Sequence, residues 1–380
     1  MTRSLAQDPA HRLFLNDLAL HFGGELLTDA LSLGLYATDA SVYQILPLAV
    51  ALPRQAKDVV TAMRIAADHG IAILPRGGGT SLAGQTVGRA LVLDFSKYMN
   101  RVLELNEGEC WVRVEPGLVR DELNAYLAPY GLHFAPDPAT SSRANVGGMV
   151  GNNSSGTKSI LYGKTVDHVL EMRVVLADGT ELQLGPLSAE AYAEKAARPD
   201  REGEIYRRFR VLINEHRQEI IDRFPKVMRR VGGYNLDEFI GEGDWNLSKL
   251  VCGSEGTLAT ILELKLHLEP LPQFKSVAVV HFATIPEAIR AVEPMLAYEP
   301  AAVEILDKTV LDLSRQNLTT RRHAAFLEGD PAAILIVEFY GDNPETVLER
   351  PRRMEARLRE LGLGYAFPLF PDHDPTYESV

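Results

Sequence analysis

Two glycine-rich stretches hold the residues best suited to chemistry: Pro75-Arg76-Gly77-Gly78-Gly79-Thr80-Ser81-Leu82-Ala83-Gly84-Gln85 and Gly147-Gly148-Met149-Val150-Gly151-Asn152-Asn153-Ser154-Ser155-Gly156. Glycine lacks a Cβ, so consecutive glycines bring several backbone N–H groups close to one anion, while Thr, Ser and Asn add short side-chain donors. The chemistry this pattern supports is phosphate binding, and the first expectation is a nucleotide-like ligand. A triple glycine alone is more often a sharp surface turn than a ligand loop. The second stretch shifts that balance, because Ser141, Ser142, Asn145, Asn152, Asn153, Ser154 and Ser155 crowd beside glycines in a segment with few charges.

The elements around these loops narrow the choice. Ile71 to Leu74 read as a buried strand leading into the first loop, and no amphipathic helix follows it. That excludes a Rossmann fingerprint, which opens a helix, and a P-loop, which needs Lys-Ser/Thr after its last glycine. Val59, Val60, Met63, Ala66 and Ala67 fall at helical spacing over 54–69, with Gly70 as the stop and strands expected at 45–50 and 90–94. Short strands follow from 102 to 115, then a helix over 119–130 ended by Gly131. Asp178-Gly179 joins two strands as a hairpin. A helix over 203–223 places Ile205, Phe209, Leu212 and Ile213 on one face. After Pro270-Leu271-Pro272 the pattern becomes strand 276–282, helix 285–296, strands near 302–306 and 333–339, and helix 344–361, an α+β sandwich.

The 380 residues, 46% hydrophobic and 24% charged, suffice for two or three domains with a substantial core. No run approaches the roughly eighteen apolar residues of a membrane span, and Met1 to Pro9 lack a signal-peptide layout, so a cytoplasmic location is expected. A net charge of −12 argues against nucleic acid as partner. Cys110 reads as a strand residue and Cys252 as packing; neither they nor the histidines offer metal spacing, so no metal is expected. His69 reads as the end of a helix and His267 as the solvent face of a strand.

Five motifs, in order, closely resemble the FAD-linked oxidase family. They are Pro-Arg-Gly-Gly-Gly-Thr-Ser-Leu-Ala-Gly-Gln at 75–85, Pro-Asp-Pro-Ala-Thr-Ser-Ser-Arg at 136–143, Gly-Gly-Met-Val-Gly-Asn-Asn-Ser-Ser-Gly at 147–156, Tyr-Gly-Lys-Thr at 162–165 and Cys-Gly-Ser-Glu-Gly-Thr-Leu at 252–258. The likeness is to the vanillyl-alcohol-oxidase-like flavoproteins and their branch of D-lactate, glycolate and D-2-hydroxyglutarate dehydrogenases. It implies an α+β fold: an FAD-binding domain of the p-cresol-methylhydroxylase (PCMH) type, built of two α/β subdomains, followed by a partial ferredoxin-like α+β cap. The corresponding division is an N-terminal helical segment at 1–44, the FAD-binding domain at 45–272 and a truncated cap at 273–380.

The resemblance also assigns residues. Pro75, Arg76, Gly77, Gly78, Gly79, Thr80, Ser81 and Gln85 would form the pyrophosphate loop, and Pro136, Asp137, Ser142, Gly147, Gly148, Asn152, Ser154, Ser155 and Gly156 would line the rest of the cofactor, with Glu255 and Gly256 from the later loop. Members that attach flavin covalently often use a histidine where Thr80 stands, so FAD is expected to be non-covalent. Asp39 and Tyr43 resemble the segment before the first flavin strand, although Asp39 could equally cap a turn, and Lys164 could face phosphate or solvent. No catalytic base is identifiable. Arg229, Arg230, Tyr234 and Asn235, in Arg-Arg-Val-Gly-Gly-Tyr-Asn-Leu, are the substrate-side candidates, an arginine being able to clamp a carboxylate bidentately.

Family members continue with a Trp-x-x-Arg segment and a Gly-His-x-x-Asp-Gly-Asn-Leu-His motif that this chain does not contain. The expectation is therefore the N-terminal part of a longer protein. Its activity would be oxidation of a small D-2-hydroxy acid, with electrons passing to a separate acceptor or to a missing carboxy-terminal iron–sulfur domain. The alternatives are a flavin-binding module with no turnover of its own and an enolpyruvyl sugar-nucleotide reductase, a group that lacks the Cys-Gly-Ser-Glu-Gly-Thr-Leu segment.

Overall fold

The structure, a computed structural model, describes residues 9–377 and 380. The expectations for Met1 to Asp8 and for Glu378 and Ser379 lie outside those residues. The chain packs as two compact units: one of residues up to 134 with 138–154 and 164–269, the other of 135–137, 155–163 and 270 onward.

In the first unit, α1 (Pro9–His21), β1 (Glu25–Leu27), α2 (Ala30–Leu35), β2 (Ala49–Leu52), α3 (Ala56–Asp68), β3 (Ile73–Arg76) and β4 (Leu91–Asp94) come first. They form a four-stranded sheet of order β1-β2-β4-β3, in which β4 runs parallel to both β2 and β3. The apolar spacing of α3 buries Val59, Ala62, Met63 and Ala66 with Phe14 and Leu18 of α1 and with Leu91 and Leu93. On the opposite face Val50, Leu52 and Val92 pack with Leu33, Tyr36 and Tyr98, so β2 and β4 are covered on both faces and buried along their length.

An antiparallel sheet follows, built from β5 (Val102–Asn106), β6 (Trp111–Val114), β7 (Val169–Val175), β8 (Glu181–Leu184) and β9 (Thr260–His267), in the order β5-β6-β9-β7-β8. Against it lie α4 (Arg120–Leu127), α5 (Val146–Asn152), α6 (Ala189–Ala197) and α7 (Arg201–Arg223). Asp178-Gly179 turns the β7–β8 hairpin with Gly179 at φ 81°. Cys110 departs from its expected place in a strand. It closes the β5–β6 turn at φ 53°, because Glu107 to Cys110 form that turn and the Cys110 N–H reaches Glu107 O at 3.3 Å. On α7 the buried face is Tyr206, Phe209, Ile213 and Ile220, whereas Leu212 is exposed, since the inward stripe is set by the residues that meet α6 and Trp245. His69 caps α3 as expected, but its ring meets Asp17 at 3.1 Å and packs edge-on to Phe14 rather than facing water.

The second unit contains β10 (Phe274–Phe282), α8 (Ile285–Leu296), β11 (Ala302–Asp307), α9 (Lys308–Gln316), β12 (Ala333–Gly341), α10 (Pro344–Glu360) and β13 (Leu369–Pro371). Its antiparallel sheet has the order β11-β12-β10-β13. Ala288, Ala291 and Met295 of α8 and Val347, Met354 and Leu358 of α10 pack on Val280, Phe282, Leu335, Val337 and Phe339, the expected sandwich.

Candidate functional site

The end of β3 delivers the chain into the first glycine loop. Arg76 folds its guanidinium back into the protein, donating from Nη1 to Tyr36 O at 3.2 Å and Thr86 O at 2.9 Å, and from Nη2 to Thr38 O at 2.8 Å. Burial pushes its pKa below the usual guanidinium range. This side chain is a clamp on the loop's base. Asp39 reinforces it by accepting from Ser41 N at 2.8 Å and from Thr86 Oγ1 at 2.9 Å. Burial raises the Asp39 pKa, but those hydrogen bonds outweigh it and the net shift is downward.

Beyond Arg76 the loop's amides are not used by the protein's described residues. The N–H groups of Gly77, Gly78, Gly79, Thr80, Ser81 and Leu82 find no acceptor among the described residues. Glycine is required here for a measurable reason: a Cβ on Gly78 would lie 2.2 Å from Arg143 O, and one on Gly77 would lie 2.7 Å from Asn145 Oδ1. The loop is therefore pressed against 143–145.

The second glycine stretch was expected to be a loop, and most of it is the helix α5 instead. Val146, Met149 and Val150 form a buried stripe at helical spacing, whose packing outweighs a propensity cost of about 1 kcal/mol per glycine. Asn153 ends the helix in the left-handed region at φ 55°. Gly147 is pressed against Pro116, where a Cβ would fall 2.5 Å from Pro116 Cβ, whereas a Cβ on Gly148 or Gly151 would meet nothing within 4 Å. A bare backbone face is thus open to a ligand.

The third segment joins the other two. Gly253 N donates to Val150 O and Glu255 N to Gly151 O, both at 2.9 Å. Glu255 accepts at Oε1 from Asn152 Nδ2 at 2.9 Å and from Gln85 Nε2 at 3.4 Å. Gln85 in turn holds Ser81 through its Oε1. Three loops distant in sequence so converge within the first unit.

Around them, Asn235 is buried and donates to Cys252 O at 2.8 Å and Lys249 O at 3.1 Å, which makes it a staple for the turn before Glu255. Arg230 is held by both Asp237 oxygens at 2.5 and 2.6 Å and lies over the Phe224 ring. Tyr234 is exposed, with its hydroxyl 2.9 Å from Thr257 Oγ1, and Arg229 is exposed. Cys252 is fully buried, and burial pushes its thiol pKa far up, as a packing residue requires. Lys164 caps a short helical turn through Asp167. Ser142 lies in an exposed turn.

Four of the expected cofactor residues belong to the second unit. There Asp137 accepts from Thr157 Oγ1 at 3.1 Å and Lys158 N at 3.3 Å, and a Cβ on Gly156 would fall 2.0 Å from Asp137 O. Lys158 Nζ stands between Asp137 and Glu338, at 3.7 and 3.9 Å. Pro136 and Ser155 belong to the same short segments.

These features fit FAD. Six amides without an acceptor among the described residues answer a pyrophosphate, and the glycine face of α5 admits a flat or extended group. Sequence reasoning left Asn145 out of the cofactor set, although its Oδ1 is buried, lacks a partner among the described residues and sits beside Gly77. A hydroxyl of a bound cofactor would satisfy it. The signal available was an Asn just ahead of Val-Gly-Gly, an N-cap pattern. Among the described residues no group of His, Cys, Asp and Glu could hold a metal.

The sequence matches the family described as FAD binding domain over residues 47–185 and that described as FAD linked oxidases, C-terminal domain, over 271–369. It is 38% identical over 361 residues to the D-2-hydroxyglutarate dehydrogenase of Pantoea ananatis, covering 92% of this chain and 35% of that protein. It is 37% identical over 358 residues to the D-2-hydroxyglutarate dehydrogenase of Escherichia coli, with the same coverage of 92% and 35%. The chain thus spans about a third of the length of these curated relatives. The structure of p-cresol methylhydroxylase with substrate bound superposes with a TM-score of 0.66 at 17% identity, over 100% of this chain and 69% of that one. Fold and domain content define an α+β flavoprotein with an FAD-binding domain of the PCMH type. The chain belongs to the FAD-linked oxidase family.

Proposed function

We propose that this chain is the flavin-holding part of a dehydrogenase that oxidises a D-2-hydroxy acid, D-2-hydroxyglutarate in the first place and D-lactate as its competitor. The observation that carries the reading is the row of six unpaired amides, Gly77 to Leu82, set beside the glycine face of α5. The relatives named D-2-hydroxyglutarate dehydrogenase support the substrate class. Bound flavin supplies the acceptor for the substrate's Cα hydride. The protein's part is to hold it: the amides of Gly77 to Ser81 meet the pyrophosphate, Asn145 Oδ1 accepts from a cofactor hydroxyl, and Thr80, which is no nucleophile for flavin attachment, leaves the cofactor non-covalent.

On the substrate side, Tyr234 is favoured over its neighbours, because it is exposed and tied to the Glu255 loop through Thr257. Arg229 and Arg230 both stay with it as carboxylate partners, Arg230 after releasing Asp237. Electrons would leave to a separate acceptor or to an iron–sulfur domain of a longer protein. A cytoplasmic location belongs to the same proposal, and the two free thiols, Cys110 and Cys252, accord with it. Anaerobic mixing of the FAD-loaded chain with D-2-hydroxyglutarate tests the activity: bleaching of the flavin by it, and less by D-lactate, is expected. Reduction by dithionite alone would favour a second reading, a flavin module without turnover of its own.

A further inference from the structure

The FAD reading uses the backbone around Glu255 and leaves its side chain without a task. That side chain joins elements 170 and 103 residues away in sequence, Gln85 of the first loop and Asn152 at the end of α5, on a single oxygen. Its other oxygen, Oε2, has no partner among the described residues, and the residue is exposed. Glu255 also sits at φ 50°, between Gly253 at φ 82° and Gly256 at φ 74°. A third glycine would relieve a strain of about 1 kcal/mol at this position. What glutamate adds over glycine is the carboxylate.

We propose that Glu255 is a positioning residue that clasps the three loops together before cofactor binds and then orients the cofactor through Oε2. The proposal rests on the FAD reading above. A carboxylate repels phosphate, so the part of FAD beside Glu255 is one that donates, a ribityl or ribose hydroxyl or a ring N–H, and the pyrophosphate is left to the amides of Gly77 to Leu82. The same charge turns away a free phosphate or a nucleotide offered phosphate-first, so Glu255 sets the direction in which the cofactor lies.

Five proteins test this: wild type, Glu255→Gly, Glu255→Gln, Asn152→Ala and the double variant Asn152→Ala with Glu255→Gly. Glu255→Gly keeps the positive φ comfortable and removes only the side chain. In the cofactor-free chain it is expected to raise amide hydrogen exchange about tenfold in 80–86 and 150–154 while leaving β10 and β12 unchanged. Fluorescence titration is expected to give FAD binding weaker by about ten- to a hundredfold for Glu255→Gly. Glu255→Gln keeps an acceptor for both amides, so its exchange should match wild type, with FAD binding reduced about tenfold because an NH2 in place of Oε2 donates and cannot accept from the cofactor. Asn152→Ala combined with Glu255→Gly should cost no more than Glu255→Gly alone. Unchanged exchange in Glu255→Gly overturns the clasp, and unchanged FAD affinity overturns the orienting role. Wild-type protein that takes up no FAD refutes the FAD reading instead, and the exchange arm still decides the clasp.

Discussion

In the second unit, β12 lies between β10 and β11 and every inward residue from Val280 to Phe339 is covered by α8 and α10. In the loops of the first unit the order is kept by other means: a buried Arg76 on three carbonyls, glycines pressed against Arg143 O and Asn145, and one carboxylate shared by Gln85 and Asn152. Apolar burial is non-directional and tolerates local adjustment. The loops depend on single contacts with fixed geometry, and they leave six amides unused. The difference teaches where to look for function: the sandwich satisfies itself, whereas the loops are complete only with a ligand.

Substitutions can break or sharpen this contrast. The largest effect is expected from Phe282→Ala, since Phe282 is fully buried in the sandwich core. It should destabilise by about 3–5 kcal/mol in urea unfolding and change FAD affinity less than threefold. Gly78→Ala should do the reverse. Its Cβ meets Arg143 O at 2.2 Å, so FAD titration should show a loss of about a hundredfold, with about 1–3 kcal/mol of destabilisation. Arg76→Met leaves three carbonyls without their donor, and is expected to cost about 2 kcal/mol and about tenfold in FAD affinity, read in the same two assays.

The smallest expected effect concerns pH and the second unit alone. His281 is buried, its Nδ1 facing Val279 O at 3.2 Å and its Nε2 accepting from Glu328 N at 3.1 Å, with Glu328, Asp330, Arg315 and Tyr365 around that loop. Burial holds its pKa below the ordinary 6.5. The unfolded chain therefore binds a proton more readily, so this contribution is complete above the ordinary value and is lost as pH falls through the folded one. Melting temperature should fall between pH 7.5 and pH 5.5 by more in wild type than in His281→Gln. An equal fall in both proteins removes His281 from the account.

The sandwich was legible from the sequence because its elements follow local rules: Thr284 and Asn343 cap α8 and α10, and the strand and helix periods of 274–360 emerge as β10 through α10. The hairpin at Asp178-Gly179 and the stop at Gly131 were legible for the same reason. The candidate site was legible as a set of motifs but not as an arrangement. Nothing local indicates that Glu255 meets Gln85, or that Arg76 turns inward, because both are long-range contacts. Nor did glycine content reveal α5, whose helix is imposed by Val146, Met149 and Val150 against the core. Cys110 followed the strand pattern of its neighbours, yet the turn placed it at positive φ.

The account's central claim is that the loops of the first unit hold FAD. Titrating the purified, cofactor-free chain with FAD and recording the flavin absorption bands, then those of the acid supernatant, addresses it most directly. The account predicts saturable uptake at one FAD per chain, with all of the flavin released into the supernatant. A chain that takes up no FAD would contradict it, and flavin that stays with the acid pellet would contradict the non-covalent mode of binding.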